Sequence, residues 1–227
     1  MMMARRKRRL PKQIGLFQRG TWGGARPNCG RKKRNQVTHD VRPKIAAQNP
    51  LHVTLRARVS TLRRGQVLTL LRAQVRRVRD EAGAFRVLHY SLQDNHLHLI
   101  VEAKDKAALS SGMLGFASAL ARGFNQLRRR HGKVWAQRYH ARALTSPTAV
   151  RNALVYVLRN ARKHGASRGE DAFSSAHAFD GFAGKTAQHD DAIAAGTTWL
   201  ITIGWRRRGL IAAHERPKPA AGAQPPR

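Results

Sequence analysis

The stretch Leu88-His89-Tyr90-Ser91-Leu92-Gln93-Asp94-Asn95-His96-Leu97-His98-Leu99-Ile100-Val101-Glu102 decides the fold. It reads as two short strands joined by the turn Gln93-Asp94-Asn95, and so as an antiparallel hairpin. The second strand opens with His96-Leu97-His98. Residues two apart on a strand share a face. Both imidazoles therefore project side by side, with Leu97, Leu99 and Val101 on the opposite face, and two such nitrogens can ligate one metal ion. The spacing alone is weak. With 11 histidines in 227 residues, about half of one His-x-His arises by chance, and two half-buried strand histidines are the simpler explanation.

Working outward, the chain on the N-terminal side supplies a strand and a helix. Leu51, Val53 and Leu55 alternate with His52, Thr54 and Arg56, the pattern of a half-buried strand. Residues 65–83 place Val67, Leu70, Leu71, Val75 and Val78 at helical spacing, with arginines between them and Gly83 as the stop. On the C-terminal side, residues 105–130 form a long helix. Its stripe is Leu109, Met113, Phe116, Leu120, Phe124 and Leu127. Residues 133–144 make a fourth, irregular strand. Ser146-Pro147 then gives an N-cap with proline at the first helical position, and a helix runs to about residue 164 before Gly165. Its core face is Val150, Ala153, Leu154, Val157, Leu158 and Ala161.

The order β-α-β-β-α-β is the ferredoxin-like split βαβ pattern. The predicted class is therefore α+β: a four-stranded antiparallel sheet with helices on one side, plus a further C-terminal helix. Residues 1–48 are basic, rich in Gly, Pro, Asn and Gln and without periodicity, which predicts a largely disordered arm. Residues 49–166 form the domain. Residues 167–213 are an extension packing on it, with 198–205 a short strand or apolar clamp, and 214–227 are a disordered tail.

Charge limits the partners. The chain carries 44 Lys+Arg against 12 Asp+Glu, a net charge of +32. Nucleic acid is the partner such a balance favours, because each phosphate contact releases counterions. Arg56, Arg58, Arg138 and Arg142 on strands, and Arg159 and Lys163 on the last helix, are the candidate DNA contacts. One cysteine, Cys29, excludes a disulfide framework and points to a reducing compartment. No apolar run follows the basic N-terminus and none elsewhere is long enough to span a membrane, so no membrane role is expected.

Tyr156 and Asn160 lie one turn apart on the last helix, on the flank of its apolar stripe. A tyrosine, two histidines and an amide oxygen suit phosphodiester chemistry. A cation polarises the phosphate and the phenolate attacks it. An ordinary half-buried tyrosine fits the spacing too, and Tyr139 and Tyr90 are rival nucleophiles.

These pieces resemble the single-tyrosine HUH transposases, where HUH means His-hydrophobic-His. They carry an insertion-sequence-200-like transposase domain, and the chain is most similar to the REP-associated tyrosine transposases among them. The resemblance rests on Leu51-His52-Val53-Thr54-Leu55-Arg56, Asn95-His96-Leu97-His98-Leu99-Ile100, Val134-Trp135-Ala136-Gln137-Arg138-Tyr139-His140 and Val155-Tyr156-Val157-Leu158-Arg159-Asn160. It covers residues 50–165. It implies a single-stranded DNA endonuclease and strand transferase acting at hairpin-flanked sites through a 5′-phosphotyrosine. Tyr156 is then the nucleophile, and His96, His98 and Asn160 are ligands to Mg2+ or Mn2+. It further implies a bacterial, cytoplasmic, nucleoid-associated protein working as a monomer or homodimer. The chain departs from the family in having Gln93-Asp94 where Met-Pro is usual, and Ala161 after Asn160 where proline is frequent. The alternative of another class is a non-catalytic, domesticated DNA-binding protein of the same fold. An RNA-binding structural protein rests on charge alone.

Overall fold

The computed structural model describes residues 45–80, 84–160, 171–212 and 214–217. Residues 1–44 of the expected basic arm and the tail beyond residue 217 lie outside them. Among the described residues there are four strands: β1 (Leu51–Arg56), β2 (Phe85–Leu92), β3 (His96–Ala103) and β4 (His140–Ala143). They form one antiparallel sheet in the order β2-β3-β1-β4. Helices α1 (Gly65–Asp80) and α2 (Lys106–Leu127) connect them in the expected split βαβ order, and α3 (Pro147–Leu158) follows.

The strand alternation creates two cores. Leu51, Val53 and Leu55 of β1, with Leu97, Leu99 and Val101 of β3, pack with Val67, Leu71 and Val75 of α1 and Met113, Phe116 and Phe124 of α2. The opposite face collects Leu88 and Ile100 with Val150, Leu154 and Val157 of α3. So α1 and α2 share one side and α3 takes the other. A register shift between Val87 and His89 sets both Leu88 and His89 against the α3 side, since a bulge places two residues opposite one. β3 is buried from Leu97 to Ala103 because it is central and covered on both faces.

Helix termini follow their caps. The Asp105 side chain accepts from the Ala108 N–H at 2.8 Å, so α2 starts one residue later than the apolar pattern suggests. It ends at Leu127, with Arg128 as cap and Arg129 in the left-handed region at φ 45°. The Ser146 Oγ accepts from Ala149 N–H with Pro147 at the first turn, as the sequence predicts. Two expectations change. Only residues 140–143 of the predicted 133–144 strand pair along β1, and Trp135 bridges Ala57 alone. The helix expected to run unbroken to residue 164 is interrupted after Leu158, because Arg159 adopts φ −115° and ψ 14°, and Asn160 is helical again. Residues 161–164 lie outside those described.

Beyond residue 170 the chain wraps the domain. Phe173 C=O accepts from Leu92 N–H and Val87 C=O from Ala194 N–H, so this segment occupies the outer edge of β2. The stretch 198–205 is an apolar clamp but not a strand. It forms α4 (Trp199–Thr202) and a 3-10 turn over Gly204–Arg208, with Trp205 inserted into the α3 core. That packing also buries Val155, which the α3 pattern alone does not place on the core face.

Candidate active site

On the α3 side of the sheet, the half nearest β4 carries polar residues where the half under α3 carries apolar ones. The register pairs Thr54 with His98, Arg56 with His96, and His52 with both Ile100 and Arg142. These side chains therefore share a face by strand alternation. His96 and His98 stack with centroids 6.0 Å apart and ring planes 10° from parallel, so the side-by-side placement expected from His-x-His holds.

Each imidazole is oriented by a neighbour. His98 Nδ1 lies 3.2 Å from Thr54 Oγ1, and His96 Nδ1 lies 2.6 Å from Asn95 Oδ1. The Asn95 carbonyl accepts, so His96 donates from Nδ1, and in the neutral ring this leaves Nε2 with the lone pair that a cation requires. The same tautomer suits His98 with Thr54 as acceptor. His98 is buried and His96 half-buried, which gives one fixed and one accessible donor.

Tyr156 descends from α3 onto this pair. Its ring meets His98 edge-on at 5.2 Å and 89°. It also meets His52 at 5.5 Å and 63°. Burial pushes its phenol above the ordinary range. The rivals are elsewhere. Tyr90 and Tyr139 are buried in the core under α1 and α2, and burial drives the Tyr90 phenol up to about 12. Of the chain's three tyrosines, Tyr156 is the one against the imidazoles.

His52 is a site residue that sequence reading does not single out. It lies 5.5 Å from His98 as well as from Tyr156, and its Nε2 is buried with no hydrogen-bond partner. Burial, then the Arg142 and His140 charges, lower its pKa to about 4, so it is neutral near pH 7. The alternation with Leu51 and Val53 was the available signal, but the register that sets it beside His98 is not encoded in any local pattern.

Asn160 is buried two residues past the end of α3, and its Oδ1 accepts no hydrogen bond. A partnerless buried amide oxygen fits an electropositive ligand. Among the described residues no three His, Cys, Asp or Glu side chains converge as a metal group.

The cations divide. Arg56, Arg58 and Arg142 are exposed, and among the described residues none of them makes an ion pair. Arg138 is half-buried. Arg159 turns away from solvent. Its guanidinium lies 4.4 Å over the Phe182 ring and donates to Ala212 C=O at 3.3 Å, so it serves the extension rather than the open face. Lys163 lies outside the described residues.

Comparison with known families bears on this geometry. The family model described as "Transposase IS200 like" matches residues 50–159. Among solved structures, the chain is similar to a REP-associated tyrosine transposase bound to a REP hairpin. There the identity is 20%, 62% of this chain and 84% of that chain are covered, and the TM-score is 0.48. It is also similar to a candidate transposase from Deinococcus radiodurans R1, at 16% identity over 52% of this chain and 89% of that one, with a TM-score of 0.36. No curated protein matches the chain. The matched residues run from β1 through the histidine strand to the end of the Tyr156 helix, so this domain of the chain is similar throughout to the IS200-like transposase domain.

Proposed function

We propose that the protein is a single-stranded DNA endonuclease and strand transferase that works through a covalent Tyr156–DNA intermediate at hairpin-flanked sites. The observation that carries the reading is the Tyr156 ring lying edge-on against His98, with His96 stacked parallel beside it.

His96 Nε2, His98 Nε2 and the Asn160 Oδ1 are the donors that would hold Mg2+ or Mn2+. Two imidazoles favour the more nitrogen-tolerant manganese. A bound divalent cation supplies polarisation of a non-bridging phosphate oxygen and offsets the charge that develops there. The donor set is neutral, so the ion's charge would remain available to the phosphate.

The Tyr156 oxygen attacks phosphorus, the P–O3′ bond breaks, and the departing oxygen takes a proton to become a 3′ hydroxyl. The phenolic proton passes to solvent. A second 3′ hydroxyl then attacks the phosphotyrosine, forming a new phosphodiester and returning Tyr156 to its phenol. The bond energy is conserved through both steps. Burial raises the phenol pKa, so the resting Tyr156 side chain is the neutral phenol. Arg56, Arg58 and Arg142 offer an exposed basic track across the β1 and β4 edge for the strand.

The test is a denaturing gel after incubation of the protein with labelled single-stranded hairpin DNA and Mn2+. A covalent adduct that disappears in Tyr156→Phe is expected. No adduct with any hairpin from sequences flanking its own gene would refute the enzymatic reading and leave a non-catalytic DNA-binding protein.

A further inference from the structure

Trp199 is not accounted for by packing. The segment 198–210 contains two tryptophans. Trp205 is 1% exposed and fills the α3 core, whereas Trp199 is 47% exposed. Ile203 and Leu210 are exposed beside it in sequence, at 54% and 46%. Three of the five large exposed apolar residues among those described thus fall within twelve residues. Arg206, Arg207 and Arg208 are interleaved with them.

The surroundings hold this indole in place. The Glu102 carboxylate of β3 accepts from the N–H groups of Thr197 and Thr198, at 3.1 and 2.8 Å, and from the Thr197 hydroxyl. The backbone entering α4 is therefore fixed to the sheet. The indole rests on Gly204, where a Cβ would come within 2.7 Å of the ring. Arg207 stands 5.2 Å from its centroid. Arg151 of α3 donates to Gly209 and Leu210 carbonyls, so the far end of the segment is tied to the helix that carries Tyr156.

We infer that the Trp199–Arg207 surface is a stacking platform for the bases of single-stranded DNA. A rigid, half-exposed indole flanked by cations meets both halves of such a ligand: the ring takes a base face and the guanidinium groups take phosphates. Bases inside a duplex do not expose their faces, so the occupant is an unpaired stretch. Charge complementarity selects a polyanion, since Arg207 and Arg208 are exposed and Arg206 is held by Asp180 at 2.7 Å. The platform lies outside residues 50–159 and does not depend on Tyr156 chemistry.

The test uses the full chain carrying Tyr156→Phe, in EDTA, with a fluorescent oligo-dT too short to fold. Trp199→Ala is expected to weaken binding roughly 5- to 150-fold, as loss of one stacking aromatic does. Its salt dependence should stay unchanged, while Arg207→Gln with Arg208→Gln lowers the slope. Trp199→Phe keeps a ring and should bind within about two-fold of the parent. The parent's tryptophan emission should be quenched by oligo-dT, and Trp199→Phe should lose that quench. This second measurement decides the matter if Trp199→Ala loses its thermal transition. Unchanged affinity in a folded Trp199→Ala, or an unchanged quench in Trp199→Phe, overturns the platform. So does Trp199-dependent binding to phosphatidylglycerol vesicles without any to oligo-dT. Failure of the adduct assay with intact Tyr156 would leave these outcomes untouched.

Discussion

Thr54→Val tests whether the histidine pair is oriented for a ligand or merely buried. Thr54 and Val have nearly the same shape and both suit a strand, so β1 keeps its pairing with β3 and β4. What disappears is the oxygen 3.2 Å from His98 Nδ1. His98 is only 6% exposed, so water cannot easily replace that partner. An unsatisfied buried polar group costs about 1–3 kcal/mol, partly offset by the added methyl packing. A drop of about 1–2 kcal/mol in stability is expected from urea unfolding. The larger effect falls on the ligand. A partner that orients a metal-binding imidazole contributes about 10- to 100-fold in affinity, or ~1.4–2.7 kcal/mol. Titration with Mn2+, followed by calorimetry or by the resonance of free Mn2+, measures this directly. Thr54→Ser restores the oxygen and should recover most of the affinity. Thr54→Val that binds Mn2+ as tightly as the parent would refute the orientation argument. So would Thr54→Ser that binds as poorly as valine.

Four further outcomes follow from the packing. Glu102→Ala removes the acceptor for the N–H groups of Thr197 and Thr198; a loss of about 2–4 kcal/mol and earlier proteolytic release of the extension are expected. Gly181→Ala drives a methyl into the Trp205 and Phe179 rings, which should cost about 1–3 kcal/mol in thermal or urea unfolding. His89 is held neutral by burial at a pKa of about 4, against the charges of Asp180 and Asp190 that raise it. Its contribution is complete above the unfolded value near 6.5 and is lost as pH falls towards 4, by roughly 3 kcal/mol at most; His89→Gln should flatten the acid limb of a stability–pH curve. Arg142→Gln, at an exposed site opposite His52, should weaken single-stranded DNA binding a few-fold and lower its salt slope by about 1.

Much of the fold was legible because its signals are local. Strand alternation in residues 51–56, the stripe from Leu109 to Phe124, and the Ser146 cap each depend on neighbours within one turn or one strand. The parallel placement of His96 and His98 follows from the same period of two. What stayed hidden depends on register. Nothing near His52 says that β1 slides against β3 until its ring lies beside His98. The bulge that turns Leu88 and His89 to the same side is equally invisible to a periodic count. The break after Leu158 also escaped, because nothing in Val157-Leu158-Arg159-Asn160 announces the non-helical backbone of Arg159. Arg159 looked like a phosphate contact from its place beside Tyr156, and tertiary packing on Phe182 gave it another role.

The extension explains how so basic a chain keeps its charge where it is useful. Its acids meet arginines of the domain: Asp171 pairs with Arg63, Asp190 and Asp191 with Arg72, and Asp191 with Arg76, while Glu215 just beyond it pairs with Arg151. Asp171 and Asp190 are buried, so these are partly desolvated contacts and hold more tightly than surface pairs. The β2 edge is thereby covered, and Arg63, Arg72 and Arg76 are neutralised by the same segment. Arg56, Arg58 and Arg142 stay exposed around the histidines and Tyr156. A polyanion is drawn to unpaired arginines such as these in preference to paired ones. The prediction is directional: Asp190→Asn with Asp191→Asn should raise total DNA affinity while lowering the fraction bound across the Tyr156 face. Footprinting of a single strand by cleavage from a reagent tethered at Arg142→Cys would read that fraction. An unchanged fraction would show that the acids hold the extension in place and have no part in steering the strand.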